Sequence, residues 1–117
     1  MKLSEIRDIL DAEVLTGEDR LDIGVAGCGA ADLMDDILSA VAKGSVLLTG
    51  IHSEQVLRTA KIAEVSAIIL VRGKTPAPEV LKLAESYKLP LLRTRYSMFV
   101  ASGRLYMNGL RGLDGSW

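Results

Sequence analysis

The stretch Thr49-Gly50-Ile51-His52-Ser53 holds the only histidine of the chain. It lies where the apolar run Val46-Leu47-Leu48 gives way to a helical pattern. An imidazole with an ordinary pKa of ~6.5 can act as a general base or as a ligand donor. At the same place His52 or Ser53 can instead cap a helix beginning at Glu54, which is the simpler role for such a position. A second set follows later in the chain. Arg72-Gly73 closes the apolar run Ala67 to Val71, and Arg93 and Arg95 alternate along a strand end with Thr94 between them. Alternation places the two guanidiniums on one face and Thr94 on the other. At the C-terminal edge of a parallel sheet such groups can grip an anion, the alternative being solvated strand-end residues.

Other chemistry finds less support. Gly24 to Asp32, GVAGCGAAD, invites comparison with a dinucleotide-binding loop, but Asp32 stands where the third glycine of G-x-G-x-x-G belongs. A carboxylate there favours the helix dipole and repels a pyrophosphate. Asp35 and Asp36 add to that repulsion, and a tight turn built of small residues is the expectation for Gly27 to Gly29. No Walker A sequence and no G-x-S-x-G elbow occur in the chain. Cys28 has no second cysteine to resolve it, and Asp32 opposes a thiolate, so a small residue packed in a turn is expected. One histidine and one cysteine are too few soft ligands for zinc, and the aspartates form no EF-hand loop, so neither a metal nor another cofactor is expected. The residues favour binding over catalysis.

The elements that would position these groups can be read from hydrophobic spacing. Ser4 is placed to cap a first helix with Leu3, Ile6 and Leu10 on one face. Glu13 to Thr16 and Ile23 to Ala26 read as short strands. Leu33, Ile37 and Val41 read as the inner face of a helix that Gly44 stops. Strands starting near 46, 67 and 90, with a helix in each gap, predict βαβ units and hence parallel strands with right-handed crossovers. The first of those helices spans 53 to 64 with Val56, Ala60 and Ala63 inward. The second is opened by Pro76 and Pro78, with Val80, Leu83, Ala84 and Tyr87 inward. Ser97 to Tyr106 is expected to close the core or an interface through Phe99, Val100 and Leu105.

The totals are consistent with one globular unit. At 117 residues, 49% hydrophobic and 25% charged, the chain predicts a single domain over 1–117 with a glycine-rich tail at 109–117. Trp117 is expected to be frayed or covered by a partner subunit. The formal net charge of −1 leaves no cationic excess for a nucleic acid, and the basic residues are too dispersed for an anionic membrane surface. Ala67 to Val71 is far shorter than the ~20 residues that span a bilayer. The amphipathic start MKLSEIRDIL does not read as a signal peptide. With a single cysteine, these features predict a cytoplasmic protein without intramolecular disulfides.

Taken together, KLSEIRDILDAEVLTGED, the VLLTG turn-helix segment, AIILVRGKTPAPEVLKLAESYKLPLLRT and YSMFVASGRLY resemble the DRTGG domain family from Lys2 to about Leu110. The chain departs from the family's namesake residues. It reads Gly50-Ile51-His52-Ser53-Glu54 where an Asp-Arg pair is typical, and Val71-Arg72-Gly73 where Thr-Gly-Gly is typical, so that Gly73 alone is kept. The family is similar to the N-terminal domain of HPr kinase. The resemblance therefore implies an α/β fold, a single three-layer domain with a largely parallel central sheet and βαβ crossovers.

The family's domains accompany CBS domains in regulated pyrophosphatases and precede the catalytic part of some phosphate acetyltransferases. Stand-alone forms are encoded near iron hydrogenase subunits and small kinase-like ATPases. The resemblance thus implies a non-catalytic regulatory or interaction domain that homodimerises and docks a protein partner, either a kinase-like ATPase or a hydrogenase-associated protein. The alternative is a sensor of a small ligand, an adenine nucleotide or another anion. Its site would lie at the strand C-terminal ends, at Gly50, His52, Ser53, Arg72, Gly73, Thr94 and Arg95.

Overall fold

The computed structural model describes residues 1–113; Trp117 lies outside them. A five-stranded sheet is sandwiched between two helical layers. In chain order the elements are α1 (Leu3–Ile9), β1 (Glu13–Thr16), β2 (Gly27–Ala30), α2 (Met34–Ala40), β3 (Ser45–Thr49), α3 (Glu54–Ala63), β4 (Ala67–Leu70), α4 (Pro78–Ser86), β5 (Leu91–Arg93) and α5 (Met98–Met107), with a short 3-10 turn at Glu18–Arg20. The sheet order is β1-β5-β4-β3-β2. Strands β2 to β5 are parallel, with Cys28 opposite Val46, Val46 opposite Ala67 and Ile68 opposite Leu91. β1 alone is antiparallel and sets Glu13 beside Arg93. The expected three-layer α/β architecture with βαβ crossovers is the one observed.

Period-two alternation distributes the central strands over two cores. Val46, Leu48, Ala67, Ile69 and Leu92 face α1 and α5, where Leu3, Ile6, Leu10, Ala101 and Leu105 meet them. Leu47, Ile68, Leu70 and Leu91 face α2, α3 and α4, where Ile37, Val56, Leu57, Ala60, Val80 and Ala84 meet them. β3 is buried along its whole length. That double cover explains why β3 and β4 read as continuous apolar runs instead of alternating ones. Because β2, β3, β4 and β5 follow one another in a single direction, α2 to α4 all lie on one face. The strand order therefore never reverses, and the crevice that such a reversal creates in doubly wound sheets is missing here.

Several expectations need correction. The second strand is Gly27–Ala30, not Ile23 to Ala26, so the small residues form an edge strand and not a turn. Its outer edge is covered: the Cys28 N–H donates to the Arg111 carbonyl at 2.9 Å, and Leu110 is buried, which anchors the start of the glycine-rich tail. α2 begins at Met34; Leu33 is exposed, Asp32 stands outside the helix, and only Ile37 is buried. Gly44 is not the helix stop, since Val41 is already extended and Gly44 adopts φ +82 in the turn into β3. Ser4 does not cap α1. Lys2 is the cap residue, and its N–H donates to the Glu5 carboxylate at 3.0 Å, one half of a capping box.

Candidate functional site

All four parallel strands end on one edge, so Asp32, Gly50 to Ser53, Arg72-Gly73 and Thr94 to Tyr96 lie along a single rim. The rim divides into two groups.

Asp32 is the centre of the first. Its Oδ1 accepts from the Gly50 N–H at 2.7 Å, and its Oδ2 accepts from the Arg72 guanidinium at 3.3 Å. A Cβ at position 50 would meet the Arg72 guanidinium, so a larger residue there would push that side chain away from Asp32. Arg72 has φ +60, a left-handed backbone that costs a non-glycine residue ~1–2 kcal/mol. It is held there by its N–H bonding the Tyr96 carbonyl at 2.8 Å, while the Gly73 N–H bonds the Thr94 carbonyl at 2.8 Å. The expected roles of Asp32, favouring a helix dipole and repelling a pyrophosphate, did not include this bridge. Its partners lie 18 and 40 residues away, a relationship that no local pattern encodes.

The neighbouring turn from β3 to α3 resolves the question of its cap. Ser53 Oγ accepts from the Val56 N–H at 3.4 Å, so the serine caps α3. Thr49 Oγ1 likewise accepts from the Ile51 N–H at 3.1 Å. His52 is half-buried and makes no hydrogen bond or ion pair among the described residues.

The second group borders a cleft of about 570 Å³ lined by Leu10, Asp11, Glu13, Gly73, Thr75, Arg93, Thr94, Arg95 and Tyr96. Arg93 and Arg95 both line it, in keeping with their shared face. Arg93 donates to Glu13 Oε2 and to Thr75 Oγ1, each at 2.9 Å. Arg95 is exposed and makes no ion pair among the described residues. The Tyr96 ring lies 4.4 Å from the Arg104 guanidinium. Thr94 belongs to the wall, but its side chain is committed inward. It is 1% exposed, its hydroxyl donates to the Leu10 carbonyl at 2.7 Å, and it accepts from the Tyr96 N–H at 3.3 Å.

The seven expected residues thus separate. Gly50 and Arg72 meet at Asp32; Gly73, Thr94 and Arg95 border the cleft; His52 and Ser53 stand at the β3–α3 turn. Of the donors along the rim, the Gly50 and Gly73 N–H groups, Arg72 and Arg93 are engaged within the chain, and the Arg95 guanidinium has no partner among the described residues. Burial pushes the Cys28 thiol from 9.0 up to about 12, which disfavours the thiolate, and the one hydrogen bond of its Sγ is to the Gly29 carbonyl at 3.7 Å. Among the described residues no three acidic, thiol or imidazole side chains come together as a metal-binding set. No helix there is long and apolar enough to cross a membrane.

A separate surface is apolar. α5 buries Ala101 and Leu105 but turns Phe99 (88% exposed), Met107 (86%), Tyr106 and Val100 outward. At helical spacing these four surround Gly103, beyond whose Cα there is open space. Of the expected pair of roles for this segment, Leu105 closes the core, while Phe99 and Val100 do not.

A family model described as the DRTGG domain matches residues 5–107. No curated protein matches the sequence. Among solved structures, one of the CBS and DRTGG domains of the regulatory region of Clostridium perfringens pyrophosphatase, complexed with its activator diadenosine tetraphosphate, is similar in fold. Its TM-score is 0.75 at 22% identity over 97% of this chain, which spans 48% of that one.

Proposed function

The chain belongs to the DRTGG domain family, and from that premise we propose that it is a non-catalytic regulatory and interaction domain that homodimerises and docks a protein partner. The observation that supports self-association is the outer face of α5. Isolated surface hydrophobics are ordinary, but Phe99, Val100, Tyr106 and Met107 are contiguous on one helix. Gly103 at their centre lets a second backbone approach closely. Two copies meeting about a two-fold axis would set the same patch against itself. A non-catalytic role accords with His52 and Cys28, neither of which has an acid or base partner within hydrogen-bond reach among the described residues. The docked partner fits the classes that the family resemblance implies, a kinase-like ATPase or a hydrogenase-associated protein. A single free thiol fits a cytoplasmic setting. Sedimentation velocity at micromolar concentration is the test: the expected species is a dimer, and Phe99→Glu with Met107→Glu should give a folded monomer. A monomeric wild type would end the self-association reading.

A second reading, a sensor of a small anionic ligand, draws on the cleft between Arg93 and Arg95. The Clostridium perfringens regulatory region, similar in fold, was crystallised with diadenosine tetraphosphate. A ligand that binds only the folded state raises stability by ~2.7 kcal/mol at a concentration of 100 Kd. Thermal shift with adenine nucleotides and diadenosine tetraphosphate should therefore raise Tm, and no shift at millimolar ligand would retire the reading.

A further inference from the structure

We propose that the Gly50 N–H and the Arg72 guanidinium form a phosphate-binding subsite which Asp32 keeps closed by standing in for the ligand. The inference rests on the anion-sensing reading but concerns a different place on the rim from the Arg93–Arg95 cleft. Its basis is how the three residues converge. One carboxylate oxygen sits 2.7 Å from the Gly50 N–H, and the other sits 3.3 Å from the Arg72 guanidinium. A backbone N–H and a guanidinium aimed at the two oxygens of one anionic group are the donors that a phosphate would use. All three groups are reachable, since the Asp32 and Arg72 side chains keep 42% and 43% of their exposure.

The backbone supports the same conclusion. Glycine takes a left-handed conformation without cost, yet position 72 carries an arginine at φ +60. Strain of that kind persists where the surroundings over-determine it, here the Tyr96 and Thr94 carbonyls, and it clusters at functional sites. If the contact served only stability the gain would be small, because ion pairs this exposed contribute ~0–1 kcal/mol. A tie that weak can be displaced. An intramolecular carboxylate nevertheless competes at high effective concentration with free anions, so the subsite stays shut until a ligand supplies enough binding elsewhere. The adjoining cleft, which also borders Gly73, is placed to supply it. A ligand whose phosphate displaced Asp32 would release Asp32 and the segment leading into α2, so binding would be felt at the α2 end of the sheet.

The test uses inorganic phosphate, titrated at low ionic strength into the full chain and followed by the amide NMR signals of Gly50 and Gly73. Asp32→Ala opens the subsite, and the half-saturating phosphate concentration at Gly50 should fall at least tenfold from wild type. Asp32→Asn, which still accepts from the Gly50 N–H but lacks the charge, should fall between them. In the double variant Asp32→Ala, Arg72→Gly the gain should vanish. The introduced glycine suits the left-handed backbone, so the change adds no backbone strain, and an unchanged amide spectrum away from the rim shows that the double variant is folded. Equal phosphate affinity in wild type and Asp32→Ala, or a gain that survives Arg72→Gly, would overturn the proposal. If phosphate shifts the Arg93 and Arg95 amides equally in every variant, the sensing reading stands and this inference alone fails. If no amide moves in any variant, both fail.

Discussion

The Thr94 hydroxyl donates to the Leu10 carbonyl at 2.7 Å, joining the end of β5 to the end of α1 across 84 residues of sequence. Both groups are buried, and the same oxygen also accepts from the Tyr96 N–H. Thr94 thus acts as a latch between layers, with its one hydroxyl donor committed to the Leu10 carbonyl. Thr94→Val keeps the shape but removes the donor from a buried carbonyl, which should cost ~1–3 kcal/mol. Urea unfolding measures the loss. Ligand-induced thermal shifts, taken relative to the variant's own Tm, should not change; a stability change under 0.5 kcal/mol would refute the latch.

The turn after β3 assigns different work to its two polar residues. Ser53 caps α3 through the Val56 N–H, so Ser53→Ala should destabilise by ~0.5–2 kcal/mol. His52, with no hydrogen-bond or ion-pair partner among the described residues, should tolerate alanine within ~0.5 kcal/mol, as surface substitutions usually do. Chemical denaturation of the two variants side by side separates them. A larger loss for His52→Ala would mean that the imidazole, not the serine, organises the turn.

Much of the fold was legible because its central strands announce themselves. β3 and β4 are buried on both faces and therefore uniformly apolar, and the helices between strands carry apolar residues at helical spacing. β2 was not legible. Gly27-Cys28-Gly29-Ala30 has little intrinsic strand preference and becomes a strand by pairing with β3 and by the Arg111 carbonyl covering its outer edge. The rim was half legible. Gly50, Arg72, Gly73 and Arg95 follow from their places at strand ends, as does the shared face of Arg93 and Arg95. The Asp32 bridge and the Thr94 latch do not, since both depend on contacts between distant parts of the chain.

Gly29 shows how tightly the unforeseen strand is held. A Cβ there would overlap the Ala40 carbonyl, a backbone atom that cannot swing aside as a side chain does. Gly29→Ala should therefore destabilise by ~1–3 kcal/mol, the range for overpacking. Gly24→Ala is the control, because its Cβ meets nothing within 4 Å; it should stay within ~0.5 kcal/mol of wild type. Equal effects would mean that β2 stands farther from the end of α2 than the structure places it.

Cys28 links the same strand to pH. Burial raises its thiol from 9.0 to about 12 in the folded chain, because the thiolate would be stripped of water there. The unfolded chain gives up that proton near pH 9, while the folded chain keeps it to about pH 12. Across that window the folded state binds more protons, so stability must fall as pH rises; below pH 9 the contribution is fully present. The comparison that isolates the thiol is wild type against Cys28→Ala. The stability difference between the two should be constant from pH 6 to 8, then shift steadily against the wild type above pH 9. Thiol labelling gives an independent reading: at pH 8 the native protein should react at least tenfold more slowly than the urea-unfolded chain, because only the thiolate is nucleophilic. A difference that stays flat to pH 11, together with rapid native labelling, would show that Cys28 faces water instead of the core.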